Sequence, residues 1–345
     1  MIALYNSASG PFNLDLKEVP IPELNPVDNV LINVKACAVC GMDHRIYHGT
    51  YPCNPPFTLG HELVGIVSDI VGDSNGLKKG DRVTLTPHLY SCGHCAACKI
   101  GLTQLCKEKK TVGIDRDGAM TNYVAVPAKH LHKIPATVPD KLACITEPLT
   151  MIYGNIAEAL EGKTFSNIAI IGAGQIGLLG LISSKFCKLN NAIVVDRSCS
   201  NEMFPIAEKL GADHIINIDE ENLYDRVMEL TNGDGVDLVL ETSGSEGGIS
   251  SAANILRVGG TLIAMGMSRK ETISVPWDRF IKKAINICFH MQSNYKYIDD
   301  VISNLTHPYT DLSPIITKEV HLNEWKELFE YMDTNRTLKN IIYTE

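Results

Sequence analysis

Residues 164–198 read TFSNIAIIGAGQIGLLGLISSKFCKLNNAIVVDRS, and their pattern decides the fold. The run NIAIIG has the length and β-branched content of a buried strand. Gly172, Gly174 and Gly177 follow at G-x-G-x-x-G spacing, with Gln175 and Ile176 between the last two. Next, LLGLISSKFCKL reads as an apolar helix and AIVV as a second strand ending in Asp196. A glycine triplet alone is a weak signal, but between a strand and a helix it forms a dinucleotide fingerprint. Gly172 permits the tight turn, Gly174 lets backbone approach a pyrophosphate, and Gly177 lets the helix pack on the strand. The anion rests on the helix N-terminus. Asp196 lies nineteen residues after Gly177, close to the spacing of a carboxylate that binds ribose hydroxyls and repels a 2′-phosphate. That favours NAD, with Arg197 as a counterweight. A plain αβ turn and a flavin site are the alternatives.

Downstream, helix-like and strand-like segments keep alternating at 201–210, 214–218, 220–231, 237–244, 247–257 and 259–267. Such alternation predicts a doubly wound parallel sheet. Upstream, residues 1 to about 150 read as short strands at 30–40, 62–71, 81–87 and 120–127, punctuated by glycine and proline. This half is expected to be a β-barrel-like domain. After about 290 the chain turns mixed, with helices near 296–305 and 325–335 and strands at 314–320 and 340–344. The expected division is 1–152, 153–290 and 291–345.

Four of the eleven cysteines, Cys92, Cys95, Cys98 and Cys106, fall within fifteen residues. Their spacing suits a closed four-thiolate zinc site in a lobe spanning about 88–110. An iron–sulfur cluster typically has a shorter last gap followed by proline, whereas Lys107 follows Cys106. A saturated shell leaves no position for a substrate, so this metal is structural and the chemistry lies elsewhere. An odd number of scattered cysteines without an export signal does not make a disulfide framework. The N-terminus lacks a signal-peptide pattern and no run reaches membrane-spanning length, so a cytoplasmic protein is expected, with no membrane partner. The net charge of −9 argues against a nucleic-acid partner.

Three further stretches carry residues suited to an open metal site: Cys40-Gly-Met-Asp43, Gly60-His61-Glu62 and Thr146-Glu147-Pro148. Each alone has an ordinary structural explanation, Glu147 before Pro148 being compatible with a helix end. Together they offer thiolate, imidazole and carboxylate, a set used by catalytic zinc with a free position.

In this order the motifs resemble those of the zinc-dependent medium-chain dehydrogenases, particularly the polyol (sorbitol- and galactitol-phosphate-like) and threonine dehydrogenase branches. The stretches 113–127 and 145–156 share that resemblance. It implies a GroES-like β-barrel catalytic domain plus an inserted Rossmann doubly wound parallel sheet, with the active site between them. It implies two zinc ions per chain. Cys40, His61 and Glu62 would hold the catalytic one, with Glu147 a ligand or a partner of its water and Asp43 orienting His61. Thr242 and Gly266 would lie near the cofactor, NAD. The expected reaction is hydride transfer from a secondary alcohol of a polyol or polyol phosphate to NAD+. L-Threonine 3-dehydrogenase, another small secondary alcohol dehydrogenase and a catalytically silent zinc and nucleotide binder are the alternatives. A small-molecule substrate and a homodimer or homotetramer are implied.

Two departures concern the proton route. Met42 stands where the family often has a relay hydroxyl, and Arg45 where alcohol and threonine enzymes often have histidine. His44 and His48 are the nearby substitutes. Loops 44–57, 115–120 and 270–295 are expected to shape the substrate pocket, with Tyr295, Tyr297 and Arg279 candidates to touch a polar tail.

Overall fold

The computed structural model describes residues 1–289, 295–307 and 311–345. The chain divides into two compact units, Met1–Pro148 with Asn294–Glu345, and Leu149–Ser293. The first division falls inside the helix Thr146–Leu160, near the expected 152. The expected boundary at 290/291 lies outside the described residues, as do 290–294 of the predicted pocket loops. Among the described residues, no helix is long and apolar enough to cross a membrane.

The second unit carries six strands in the spatial order 3-2-1-4-5-6, every pair parallel. In chain order they are Asn167–Ile171, Asn191–Asp196, His214–Asn217, Val236–Glu241, Leu256–Ala264 and Asn286–Phe289. The first two are almost wholly buried, as their unbroken apolar runs require when both sheet faces are covered. Strand order reverses between the first and fourth strands. The C-terminal ends of strands at such a switch point are where doubly wound sheets bind ligands. Gly174 caps the helix Gln175–Phe186 there. Gly172 has φ 105°, and a Cβ on Gly177 would lie 1.8 Å from the Gly172 carbonyl oxygen.

The first unit is built around a seven-stranded sheet. Its central strand, Val30–Val39, pairs antiparallel with Glu62–Ile70, Tyr123–Val126 and the final strand Lys339–Tyr343. Register then decides the site. Glu62 stands opposite Ala38 on one neighbour, and Asn340 opposite Val39 on the other. Cys40 follows immediately. The C-terminal segment thus completes the sheet beside the strand end that carries Cys40.

Candidate active site and metal centres

Cys40 sits where the central strand gives way to the short helix Gly41–Tyr47. Its backbone N–H donates to Asp43 Oδ2 at 2.9 Å, which sets the carboxylate under the first turn. Glu62 opens the neighbouring strand, with His61 just before it and Gly60, at φ 95°, preceding both. A side chain at Gly60 would collide with Cys37 Sγ at 2.7 Å and with Met120, so only glycine allows this approach. The outcome is a cluster in which one ligand atom each of Cys40, His61 and Glu62 lies within 4.8 Å of the others. His61 and Glu62 are buried, as is Asp43, which is 0% exposed.

Two buried atoms in this cluster have no hydrogen bond, His61 Nδ1 and Asp43 Oδ1. They face each other at 3.8 Å, an ion-pair separation longer than a hydrogen bond. Burial works against a charged His61, yet Asp43, the Cys40 thiol and Glu62 together hold the imidazole at about 10. Burial raises the Asp43 carboxyl to about 6 against the pull of His61. Negative groups crowd a place where the imidazole is the nearest cation to Asp43. Such a field accepts a metal ion in place of a proton. The donor set of thiolate, imidazole and carboxylate therefore fits zinc.

Lys339 is the residue that sequence reasoning missed. It is 0% exposed, and its Nζ lies 2.6 Å from both carboxylate oxygens of Glu62. Burial opposes its charge, but Glu62, followed by Cys40, raises its pKa. A signal was available: a lone lysine entering the apolar strand KNIIY needs a buried anion to meet.

Glu147 is buried in the first turn of the helix Thr146–Leu160. Pro148 begins that helix rather than ending one, because a first-turn residue has no N–H bond to lose. Glu147 lies outside the 4.8 Å cluster but within electrostatic reach of it. Its carboxyl is raised by burial first and by Glu62 second. Tyr295 donates its O–H to Glu147 Oε1. Burial and then Glu147 push that phenol well above its ordinary value. Tyr295 is thus a partner of a buried carboxylate, whereas Tyr297 stacks under Lys296 Nζ at 4.6 Å. Arg279 lies exposed on the short helix Trp277–Lys282.

The proton-route candidates are placed differently. His44 Nε2 lies 2.9 Å from Asp333 Oδ1, and His48 Nε2 lies 2.7 Å from the same oxygen. Neither histidine belongs to the Cys40 cluster. Arg45 donates to the Thr50 carbonyl oxygen at 3.2 Å and lies over the Tyr51 ring.

Cys92, Cys95, Cys98 and Cys106 form a second cluster within the same 4.8 Å limit. All four are free thiols. Backbone N–H groups of Cys92 and Glu108 donate to Cys106 Sγ at 3.3 and 3.4 Å, and that of Cys95 to Cys92 Sγ at 3.4 Å. The Cys98 backbone and side chain draw the Cys95 thiol down to about 6, while partial desolvation pushes Cys98 up to about 12. Amide donors aimed at sulfur favour thiolate, the form that binds metal. Among residues 91–110 only Gln104 and Cys106 are buried. A lobe with so little core needs a metal or another cross-link to hold its shape.

In the second unit, Asp196 ends its strand and accepts the backbone N–H of Ala173 at 2.7 Å and of Arg197 at 2.8 Å. Arg197 turns its Nε to Asp219 Oδ1 at 3.1 Å. Thr242 donates to the Ile171 carbonyl oxygen at 2.9 Å, tying the fourth strand's end to the glycine turn. Gly266 donates its N–H to the carbonyl oxygen of Glu241 at 3.0 Å. Gln175 and Ile176 begin the helix after Gly174.

Comparison with known proteins agrees with this architecture. The family described as alcohol dehydrogenase GroES-like domain matches residues 26–136, and the family described as zinc-binding dehydrogenase matches residues 178–306. A sorbitol dehydrogenase from Halalkalibacterium halodurans is 29% identical over 99% of each chain. An L-threonine 3-dehydrogenase from Marinomonas sp. is 31% identical over 95% of each. The solved alcohol dehydrogenase TADH from Thermus sp. ATN1 superposes with TM-score 0.86 at 28% identity, covering 100% of both chains. Relatives of this similarity, aligned over nearly the full length, place the chain among the zinc-dependent medium-chain dehydrogenases.

Proposed function

We propose that this dehydrogenase oxidises a secondary hydroxyl of a polyol or polyol phosphate to the ketone, with NAD+ as hydride acceptor. The observation that carries the reading is the convergence of Cys40, His61 and Glu62. These three side chains would hold the catalytic zinc, with Glu147 beside them. When bound there, zinc supplies Lewis acidity that acidifies an alcohol or polarises a ketone.

The chain's own groups do the remaining work. Lys339 pins both oxygens of Glu62 and compensates its charge. Asp43 balances the imidazole across 3.8 Å. Glu147, a buried carboxyl raised above its ordinary value first by burial and then by Glu62, is suited to exchange a proton with the substrate hydroxyl, and Tyr295 holds its orientation. Met42 cannot exchange a proton, and Arg45 is engaged by Thr50. The reading therefore assigns proton transfer to Glu147 rather than to the helix after Cys40.

For the cofactor, Gly172, Gly174 and Gly177 supply the pyrophosphate turn and Asp196 the ribose contact. An Asp196 carboxylate disfavours a 2′-phosphate, and Arg197, which could offset it, is directed to Asp219. This supports NAD+ over NADP+.

A second reading, L-threonine 3-dehydrogenase, is favoured by relatives of that name at 31% identity. Met42 and Arg45, in place of the relay residues of the threonine enzymes, favour the polyol. The deciding experiment follows NADH formation across polyols, polyol phosphates and L-threonine. Turnover with a polyol or its phosphate is expected. Turnover with L-threonine alone would replace the proposal.

A further inference from the structure

We propose that His44, His48 and Asp333 form a third metal site, selective for a borderline divalent ion such as Zn2+ and separate from both zinc clusters described above. One ligand atom from each lies within 4.8 Å of the other two. His44 and His48 are four residues apart, one on the helix Gly41–Tyr47 and the other at its C-cap. That spacing puts both imidazoles on one face. Asp333 comes from the helix Trp325–Thr334.

A hydrogen-bonded pair explains only part of this geometry. His48 Nε2 makes a hydrogen bond of 2.7 Å with Asp333 Oδ1. His44 Nε2 lies 2.9 Å from the same oxygen, yet it is buried and out of alignment for a hydrogen bond. Two ring nitrogens and a carboxylate oxygen converge on one point, and one nitrogen is unsatisfied. A metal ion between them would satisfy all three, at nitrogen and oxygen distances of about 2.0–2.2 Å. The move needed is small, since atoms bound to a common ion stand about 3 Å or slightly more apart.

The imidazoles are held in place by aromatic rings. His48 meets Phe12 edge-on at 5.4 Å and Tyr47 at 5.1 Å. His44 packs on Phe329 at 5.9 Å and on His48 at 4.6 Å. Ligands whose orientation is locked by packing lose little freedom on binding. Two imidazoles and one carboxylate suit zinc or its neighbours better than magnesium or calcium, which prefer all-oxygen shells. The ion would join the helix that starts at Cys40 to the helix that precedes the Lys339 strand. It would therefore brace two segments that build the catalytic cluster from outside that cluster.

The test uses full-length protein already loaded at its two family sites, dialysed against micromolar Zn2+ and assayed for metal content. A third equivalent per chain is expected in the unmodified protein. Asp333→Asn and His48→Gln should each weaken it by roughly tenfold or more, because losing a ligand costs at least as much as losing a supporting partner. Co2+ titration of the same proteins provides a second readout, with a visible band appearing in the unmodified chain and absent from the variants. Equal third-site binding in the unmodified protein and in either folded variant would overturn the proposal. So would a stoichiometry that stops at two.

Discussion

The four-cysteine lobe and the Cys40 cluster, both in the first unit, are metal-ligand clusters built in opposite ways. The four-cysteine lobe draws its ligands from fifteen consecutive residues, and only Gln104 and Cys106 among residues 91–110 are buried. The Cys40 cluster draws on two remote stretches, supported by Asp43, Glu147, Tyr295 and Lys339, and most of these side chains are buried. In the lobe a bound metal would take the place of a core. In the Cys40 cluster the core comes first and the protein invests it in holding charged groups away from water. On the proposed assignment, locality separates a site that would stabilise from a site that would react. A buried, anion-rich cluster also has the field to perturb a bound hydroxyl, which a half-buried four-thiolate shell with no open position would lack.

Four experiments test this contrast. The largest effect is expected at the buried cluster. Cys40→Ser or His61→Ala should lower turnover by roughly a thousandfold, the equivalent of the several kcal/mol that Lewis-acid catalysis supplies. NADH binding, followed by its fluorescence, should be unchanged. Retained turnover would break the distinction between the two sites.

Next comes Lys339→Met, which strands the Glu62 carboxylate in the core. Leaving one partner of a buried ion pair costs about 3–5 kcal/mol, measurable as a lower urea midpoint. Lys339→Arg should recover much of the loss. A destabilisation below about 1 kcal/mol would mean that Glu62 finds another counter-ion.

The lobe should fail locally. Chelation, or Cys98→Ser, should speed proteolytic cleavage within residues 91–110 by about tenfold or more, as expected where metal binding supplies the folding energy. The parallel sheet of the second unit should stay protected. Global unfolding in step with the lobe would erase the comparison.

The smallest effect concerns pH. His130 is held down to about 4 by burial and then by Lys129, and burial also holds His88 down to about 3. His88 opens the strand His88–Tyr90, which pairs antiparallel with Lys110–Thr111 at the edge of the lobe. Its Nδ1 lies 3.0 Å from Thr111 Oγ1, while His130 Nε2 lies 3.1 Å from the Leu89 carbonyl oxygen. Their unfolded value is near 6.5, so the unfolded chain takes up protons first as pH falls. Stability present above about 6.5 is then lost toward pH 4, by at most about 1.4 kcal/mol per pH unit for each ring and by less where water reaches it. Denaturation midpoints at pH 7 and pH 5 should differ, and His130→Gln should narrow the gap. An unchanged gap would remove His130 from the account.

Legibility followed the same division. The glycine turn, the second-strand Asp196 and the four cysteines were readable because each is a short pattern whose geometry follows from residue spacing. The two-unit organisation was readable from the change between strand-and-turn and strand-and-helix text. The short helix Gly41–Tyr47 was not, because its seven residues carry too few turns for a period to show. Nor was the position of Glu147 in the first turn of a helix, since Glu-Pro reads equally as a helix end or a helix start. Lys339 was hidden for a different reason. Its partner lies 277 residues away, and only the pairing of both neighbours with Val30–Val39 brings them together.

From its sequence alone, this protein is a two-part chain of a strand-rich domain and a parallel nucleotide-binding sheet, with a local thiolate lobe and a chemically apt set of remote ligands. Periodicity and spacing suffice for that, because they constrain atoms only a few residues apart. The tertiary structure alone decided that Lys339 neutralises Glu62, that Tyr295 holds Glu147, and that His44 and His48 turn to Asp333. Those choices depend on strand register and helix packing, where one residue of slip exchanges the buried face for the exposed one, and no local pattern records them.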